Sequence, residues 1–135
     1  MNLKFHHIGI ATSNINKAVK VYQSMGYDFN NKIYEDNKQD VRIAFLKLKN
    51  HPLIELVAPL SIKSHLNNII KKISAGSYHT CYEVNDIEQS VKLLRKKNFI
   101  IIRKPVEAIA FDNRKVSFLF NKDIGIVELL ESKNQ

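Results

Sequence analysis

Two histidines and two glutamates occupy matched places in the two halves of this 135-residue chain, and they are of the types that hold a metal ion. They are His7, Glu55, His79 and Glu128. Two imidazoles and two carboxylates suit a divalent ion such as Zn, Ni, Co, Mn or Fe, and the two carboxylates cancel its charge. An octahedral ion keeps two further positions for water or substrate oxygens. The set therefore predicts an open, catalytic kind of site rather than a closed structural one.

The matching of these residues rests on an internal repeat. When the sequence is shifted by 72 residues, His7 falls on His79 and Asn14 falls on Asp86. A shift of 73 aligns two further pairs of segments, 43–46 with 116–119 and 54–57 with 127–130. The second of these pairs superposes the two glutamates. We therefore interpret the chain as two copies of one module.

Each copy is predicted to run strand, helix and then three strands. The first copy has a strand at 5–11, a helix at about 15–25 and strands near 27–35, 41–49 and 53–58. The second has a helix at 87–97 and strands near 99–105, 114–121 and 125–131. Apolar spacing over 61–74 predicts a short connecting helix. We expect an α+β fold in one domain over 1–135, with module one at about 1–60, the connecting helix at about 61–74 and module two at about 75–135.

The ends of the two long helices carry recognisable signals. Ser13 or Asn14 can cap the start of the first helix, and Asn85 or Asp86 can cap the second. Gly26 and Asn98 stand where those helices should end.

The alternation of side chains along the strands bears on the glutamates. In 54–57 and 127–130 each glutamate faces away from its apolar neighbours. A carboxylate is costly to bury without a cation or hydrogen bonds. Taken singly, a strand histidine is more often a core residue and a strand glutamate is more often solvated. The recurrence of both types at the same module positions favours a shared site.

The charge and composition exclude several other classes of protein. The net charge of +8 comes from 21 Lys and Arg against 13 Asp and Glu, spread along the chain rather than gathered in one patch. This pattern does not favour nucleic acid as the partner, and it fits a solvated surface or the attraction of an anionic small molecule. The single cysteine, Cys81, can form no internal disulfide. No apolar run is long enough to cross a membrane and the N-terminus lacks a secretory signal, so we expect a cytoplasmic protein.

Four segments that carry the candidate ligands resemble those of the vicinal oxygen chelate (glyoxalase/bleomycin resistance) superfamily. They are 5–11, 54–60, 78–87 and 125–129, and they are most similar to methylmalonyl-CoA epimerase-like proteins. The resemblance implies two βαβββ modules that form a curved mixed sheet around a metal-site cavity, with helices on the convex side. It also implies a homodimer.

The function that this resemblance implies is a metal-dependent isomerase or epimerase. Such an enzyme abstracts a proton next to a metal-bound carbonyl, for which an acyl-CoA thioester is one substrate, and Glu128 or Glu55 is the candidate base. Arg42, Phe111 and Arg114 are candidates for the substrate pocket. Two alternatives stay open, a glyoxalase I-like lyase acting on a thiol hemithioacetal and a metal-free small-molecule binding or resistance protein.

Two features depart from the epimerase pattern. Arg42 stands on a strand where some epimerases carry an acidic residue. The segment 106–114 contains no glycine, although epimerases tend to have a glycine-rich loop there. This loop is expected to shape the pocket, so the departure bears on substrate choice.

Overall fold

Nine strands and three helices make up the computed structural model, which describes residues 1–133. In chain order they are β1 (Lys4–Ala11), α1 (Ile15–Ser24), β2 (Asp28–Phe29), β3 (Tyr34–Asp36), β4 (Val41–Lys47), β5 (Leu53–Pro59), α2 (Leu66–Ile73), β6 (Gly76–Val84), α3 (Ile87–Lys96), β7 (Ile100–Glu107), β8 (Lys115–Asn121) and β9 (Gly125–Glu131). A single 3₁₀ turn, Ile109–Phe111, precedes β8. Within the described part of the chain no helix is long and apolar enough to span a membrane.

The chain divides into two compact units. The first unit is residues 7–78, and the second is residues 1–6 together with those from 79 onward. In the first unit β5 pairs in parallel with β1 and antiparallel with β4, and β4 also pairs with β2 and β3. In the second unit β9 pairs in parallel with β6 and antiparallel with β8, which pairs with β7. The predicted mixed strand pairing is confirmed in both units, and from β6 onward the chain follows the predicted order of strand, helix and three strands.

Each long helix packs on one face of its own unit's strands. In the first unit Ile15 and Val19 of α1 pack with strand residues that include Ile54 and Leu56. In the second unit α3 packs likewise on the face that carries Val127 and Leu129. Because strand side chains alternate between faces, Glu55 and Glu128 lie on the opposite face of their strands. This confirms the orientation that the sequence predicted for both glutamates.

The predicted start and end signals of the two long helices are confirmed, and the structure shows which of the two candidate residues caps each helix. The side chain of Asn14 accepts a hydrogen bond from the amide of Lys17 at 3.0 Å, and Asp86 accepts one from Gln89 at 3.0 Å. Asn14 and Asp86 are therefore the caps. Beyond the two helices Gly26 and Asn98 have positive φ, at 102° and 69°.

The strand predicted at 27–35 is wrong as a single element. It is two short strands, β2 and β3, separated by a turn. Asn31 has a φ of 64°, and the Asn30 side chain accepts a hydrogen bond from the amide of Lys32 at 3.1 Å. One residue in the left-handed region ends an extended run, whatever the strand preference of its neighbours.

The connecting helix is shorter than the predicted 61–74. It begins at Leu66, because the chain before it forms a turn. The Asn67 side-chain amide donates to the carbonyls of Ser61, Ile62 and Ser64 at 3.1 to 3.2 Å, which holds that turn in place. Module two was predicted to extend to residue 135, and its last two residues, 134 and 135, lie outside the described residues.

Candidate metal centre

The first unit brings one histidine and one glutamate together on neighbouring parallel strands. Gly9 of β1 lies opposite Glu55 of β5, and His7 lies two residues before Gly9 on the same face of the strand. His7 Nε2 is 3.3 Å from Glu55 Oε1. His7 is fully buried and Glu55 is 2% exposed.

The second unit repeats this arrangement. Cys81 of β6 lies opposite Glu128 of β9, and His79 lies two residues before Cys81. His79 Nε2 is 3.0 Å from Glu128 Oε1, and both residues are buried. The repeat read from the sequence therefore extends to strand register and to side-chain contact within each unit.

The distances within each pair suit two ligands of one ion. Ligand atoms at about 2.1 Å from an ion lie about 3.0 Å apart at right angles and about 3.4 Å apart in a tetrahedron. The two pairs, at 3.3 and 3.0 Å, fall in this range, and each residue offers one ligand atom. Donor chemistry, spacing and burial all fit a divalent cation, whose charge would offset the cost of burying two carboxylates.

A phenylalanine stands beside each histidine, and the sequence analysis gave neither of them a role. The Phe45 ring meets His7 edge to face with centroids 6.5 Å apart, and the Phe118 ring meets His79 in the same way at 5.3 Å. Phe45 is also the register partner of Glu55, as Phe118 is of Glu128. The signal was present, because the shift of 73 that matches the glutamates also matches these two residues.

Arg42 does not join this group. Strand pairing puts Phe45 on the same face as Glu55, so Arg42, three residues earlier on β4, lies on the opposite face. Its Nε is 3.2 Å from Glu35 Oε2, and both side chains are largely exposed. The structure therefore places Arg42 on the surface, paired with its cross-strand neighbour Glu35, and its expected role in the substrate pocket stays a prediction.

Arg114 and Phe111 lie together in the second unit, where Arg114 joins three parts of the chain. Its Nη1 donates to Glu83 Oε2 and to the Glu131 carbonyl, both at 3.0 Å, and its Nε donates to the Phe111 carbonyl at 3.3 Å. The Phe111 ring meets the His6 ring edge to face at 5.4 Å. Arg114 thus ties the ends of β6 and β9 to the 3₁₀ turn.

The loop that carries these residues achieves its turn without glycine. Asp112 and Asn113 follow Phe111 with φ values of 54° and 66°. Two successive residues therefore take the left-handed conformation for which glycine is usually required. Aspartate and asparagine are among the side chains that tolerate it best, which explains how the predicted glycine-free loop closes.

Comparison with known families decides the affiliation. A model of the Glyoxalase/Bleomycin resistance protein/Dioxygenase superfamily matches residues 6–118. The chain belongs to this superfamily. The resemblance seen in the four ligand-bearing segments is confirmed.

Individual relatives within the superfamily agree with this. The mitochondrial methylmalonyl-CoA epimerase of Dictyostelium discoideum is 35% identical over 133 residues, which cover 96% of this chain and 78% of that protein. Among solved structures, a hypothetical protein from Bacillus halodurans C-125 has a TM-score of 0.84 at 28% identity, covering 100% of this chain and 98% of the other. Methylmalonyl-CoA epimerase from Mycobacterium tuberculosis has a TM-score of 0.80 at 23% identity, covering 94% and 86%.

These similarities bear on two predictions. The match to the M. tuberculosis epimerase structure confirms the fold class. The Dictyostelium discoideum relative is an enzyme, and this confirms the expectation that the chain is an enzyme.

Proposed function

We propose that this chain is a divalent-metal-dependent epimerase acting on an acyl-CoA thioester, of the class in which a malonyl group carries one α-substituent. The observation that supports it most is the matched, buried His–Glu pair in each unit. The similarity to the Dictyostelium discoideum methylmalonyl-CoA epimerase, at 35% identity, supports the substrate class.

We propose further that His7, Glu55, His79 and Glu128 hold a single ion together. One pair alone supplies two protein ligands, whereas catalytic sites for ions of the zinc type use at least three. The two pairs together supply four, with a charge that matches a divalent ion. A single shared ion is therefore more consistent with the donor chemistry than one ion in each unit.

The chemistry asks for a base as well as a cation. A bound divalent ion acts as a Lewis acid toward the negative charge that develops on a carbonyl oxygen. Epimerisation breaks the C–H bond of the carbon between thioester and carboxylate, delocalises its electron pair onto the thioester oxygen as an enolate, and returns a proton to the opposite face of that carbon. Glu55 and Glu128 are the candidates for moving that proton, since a carboxylate has one oxygen for ligation and a second that can accept a proton. Phe45 and Phe118 each pack a ring edge to face against one of the two histidines.

Metal content and turnover test the proposal together. The purified chain, stripped of metal and reloaded, should take up one divalent ion and should then exchange the α-proton of methylmalonyl-CoA with deuterium from D₂O. Two ions per chain would overturn the shared centre. Turnover of the glutathione–methylglyoxal hemithioacetal in place of the acyl-CoA would point to the glyoxalase alternative, and a chain that binds no divalent ion would point to a binding or resistance protein.

A homodimer and a cytoplasmic location belong to the same proposal. Light scattering on the purified chain tests the first, and cell fractionation tests the second.

A further inference from the structure

The second unit contains an open cleft that none of the four candidate ligands lines. Its volume is about 460 Å³, and its lining includes Lys4, His6, Glu83, Asn85, Arg114 and Lys133. These residues come from the start of β1, from the ends of β6 and β9 and from the residue before β8. The cleft thus lies at one end of this unit's strands.

Unbalanced positive charge distinguishes this cleft. Glu83 is its one acidic lining residue, and its carboxylate is paired with Arg114 at 3.0 Å. Lys4 and Lys133 are exposed and form no ion pair with any residue in 1–133. Arg114 donates to the protein through Nε and Nη1, and its Nη2 makes no hydrogen bond within the same residues. Two ammonium groups and part of a guanidinium are therefore available to an anion.

The position of the cleft relates it to the metal ligands of its own unit. Glu83 lies four residues after His79 on β6, so both side chains lie on the same face of the strand. At 3.3 Å for each residue the two positions are about 13 Å apart. The cleft is therefore at the end of the strand face that carries His79.

We propose that this cleft binds the phosphate groups of the acyl-CoA substrate while its thioester is at the metal centre. This inference rests on the proposed function. Phosphates are recognised by lysine and arginine side chains, which give charge-assisted hydrogen bonds. The extended arm between the thioester and the phosphates of coenzyme A is long enough to cover the distance along β6.

Binding of coenzyme A to the metal-free chain, followed by calorimetry, tests the cleft without any turnover. The wild type should bind coenzyme A more tightly than it binds pantetheine, which lacks the phosphates. The double variant Lys4→Ala/Lys133→Ala should weaken coenzyme A binding about tenfold and leave pantetheine binding unchanged. The control variant Lys71→Ala/Lys72→Ala removes the same charge from α2 in the first unit and should leave both affinities unchanged.

Two other results would contradict the proposal that this cleft binds phosphate groups. An equal loss in both double variants would mean that only the overall charge matters, and equal binding of coenzyme A and pantetheine would mean that no phosphate site exists. Pyrophosphate should compete with coenzyme A. If pyrophosphate binds in a lysine-dependent way and coenzyme A does not displace it, the site serves free phosphates instead of the substrate.

Kinetics separate this inference from the proposed function. In the Lys4→Ala/Lys133→Ala variant the KM for an acyl-CoA should rise about tenfold, and turnover of the corresponding acyl-pantetheine should be unchanged. If the enzyme is active and the double variant has the same KM for acyl-CoA as the wild type, only the proposed phosphate site is contradicted. A wild type that binds coenzyme A through the lysines but epimerises neither substrate would overturn the proposed function alone.

Discussion

His7 and His79 have equivalent surroundings, each with one glutamate and one phenylalanine from neighbouring strands of its own unit. The phenylalanine edge packs against the imidazole and restricts its rotation, while the glutamate oxygen fixes where the second ligand atom lies. A ligand that is already oriented loses less conformational entropy when it binds an ion. Each unit therefore holds one histidine and one glutamate in a fixed orientation as candidate metal ligands.

The first prediction concerns a ligand. His79→Ala should abolish binding of the divalent ion, and it should lower epimerase activity at least about a hundredfold, because even outer partners of metal ligands contribute 10- to 100-fold. Elemental analysis and the deuterium-exchange assay measure the two effects, and circular dichroism should show a folded chain. The control His65→Ala changes an exposed histidine that makes no capping hydrogen bond. Full activity of the metal-stripped His79→Ala variant would contradict the prediction.

The second prediction concerns the rings beside the histidines. Phe118→Leu should weaken metal affinity about tenfold, since the imidazole is then less firmly oriented. Phe45→Leu should have a smaller effect, because its ring lies 6.5 Å from the histidine rather than 5.3 Å. Competition with a fluorescent chelator gives both affinities, with the partly exposed Phe120→Leu as control. The reverse order of effects would show that the rings do not orient the ligands.

At the scale of the element, the caps are what made the helix starts predictable. Asn14→Ala should lower the free energy of unfolding by about 1 kcal/mol, since it leaves the Lys17 amide without its acceptor. Ser13→Ala, at the neighbouring position that the sequence could not distinguish, should change it by less than about 0.5 kcal/mol. Urea denaturation of the two variants measures the difference. Equal effects would mean that the cap is shared.

In the loop before β8, two substitutions of the same residue should change the free energy of unfolding in opposite directions. Asn113 has a φ of 66°, so Asn113→Gly should raise the free energy of unfolding by roughly 0.5 kcal/mol, and Asn113→Ala should lower it by about 1 kcal/mol. The same denaturation experiment measures both. If alanine is tolerated as well as glycine, the left-handed conformation of this residue does not matter for stability.

The sequence predicted some elements well and others poorly, for physical reasons. The candidate ligands and the two long helices could be identified from the sequence, because periodicity, caps and the repeat are all local or regularly spaced signals. The break in the strand at 27–35 was not, since it depends on the backbone angle of a single residue, Asn31. Arg114 was expected near the substrate, but its partner Glu83 lies 31 residues away, and no spacing rule connects them.

At the scale of the whole molecule, a shared ion should couple ligand loss in either unit to the stability of the entire chain. Adding the ion at one hundred times its Kd should raise the free energy of unfolding by about 2.7 kcal/mol. His7→Ala in the first unit and His79→Ala in the second should each remove this increase completely. Thermal unfolding with and without a chelator provides the measurement. If either variant kept about half of the increase, each unit would hold an ion of its own.

The Arg114–Glu83 pair has no equivalent in the first unit. The shifts that superpose the ligands put Val41 under Arg114 and Ala11 under Glu83, and both are buried apolar residues. The two units thus share the His–Glu pair, whereas the second alone has this charged pair at the ends of its strands. The charged end therefore lies on the strand that carries His79, so we expect an elongated substrate with one anionic end to bind along β6 in a single orientation.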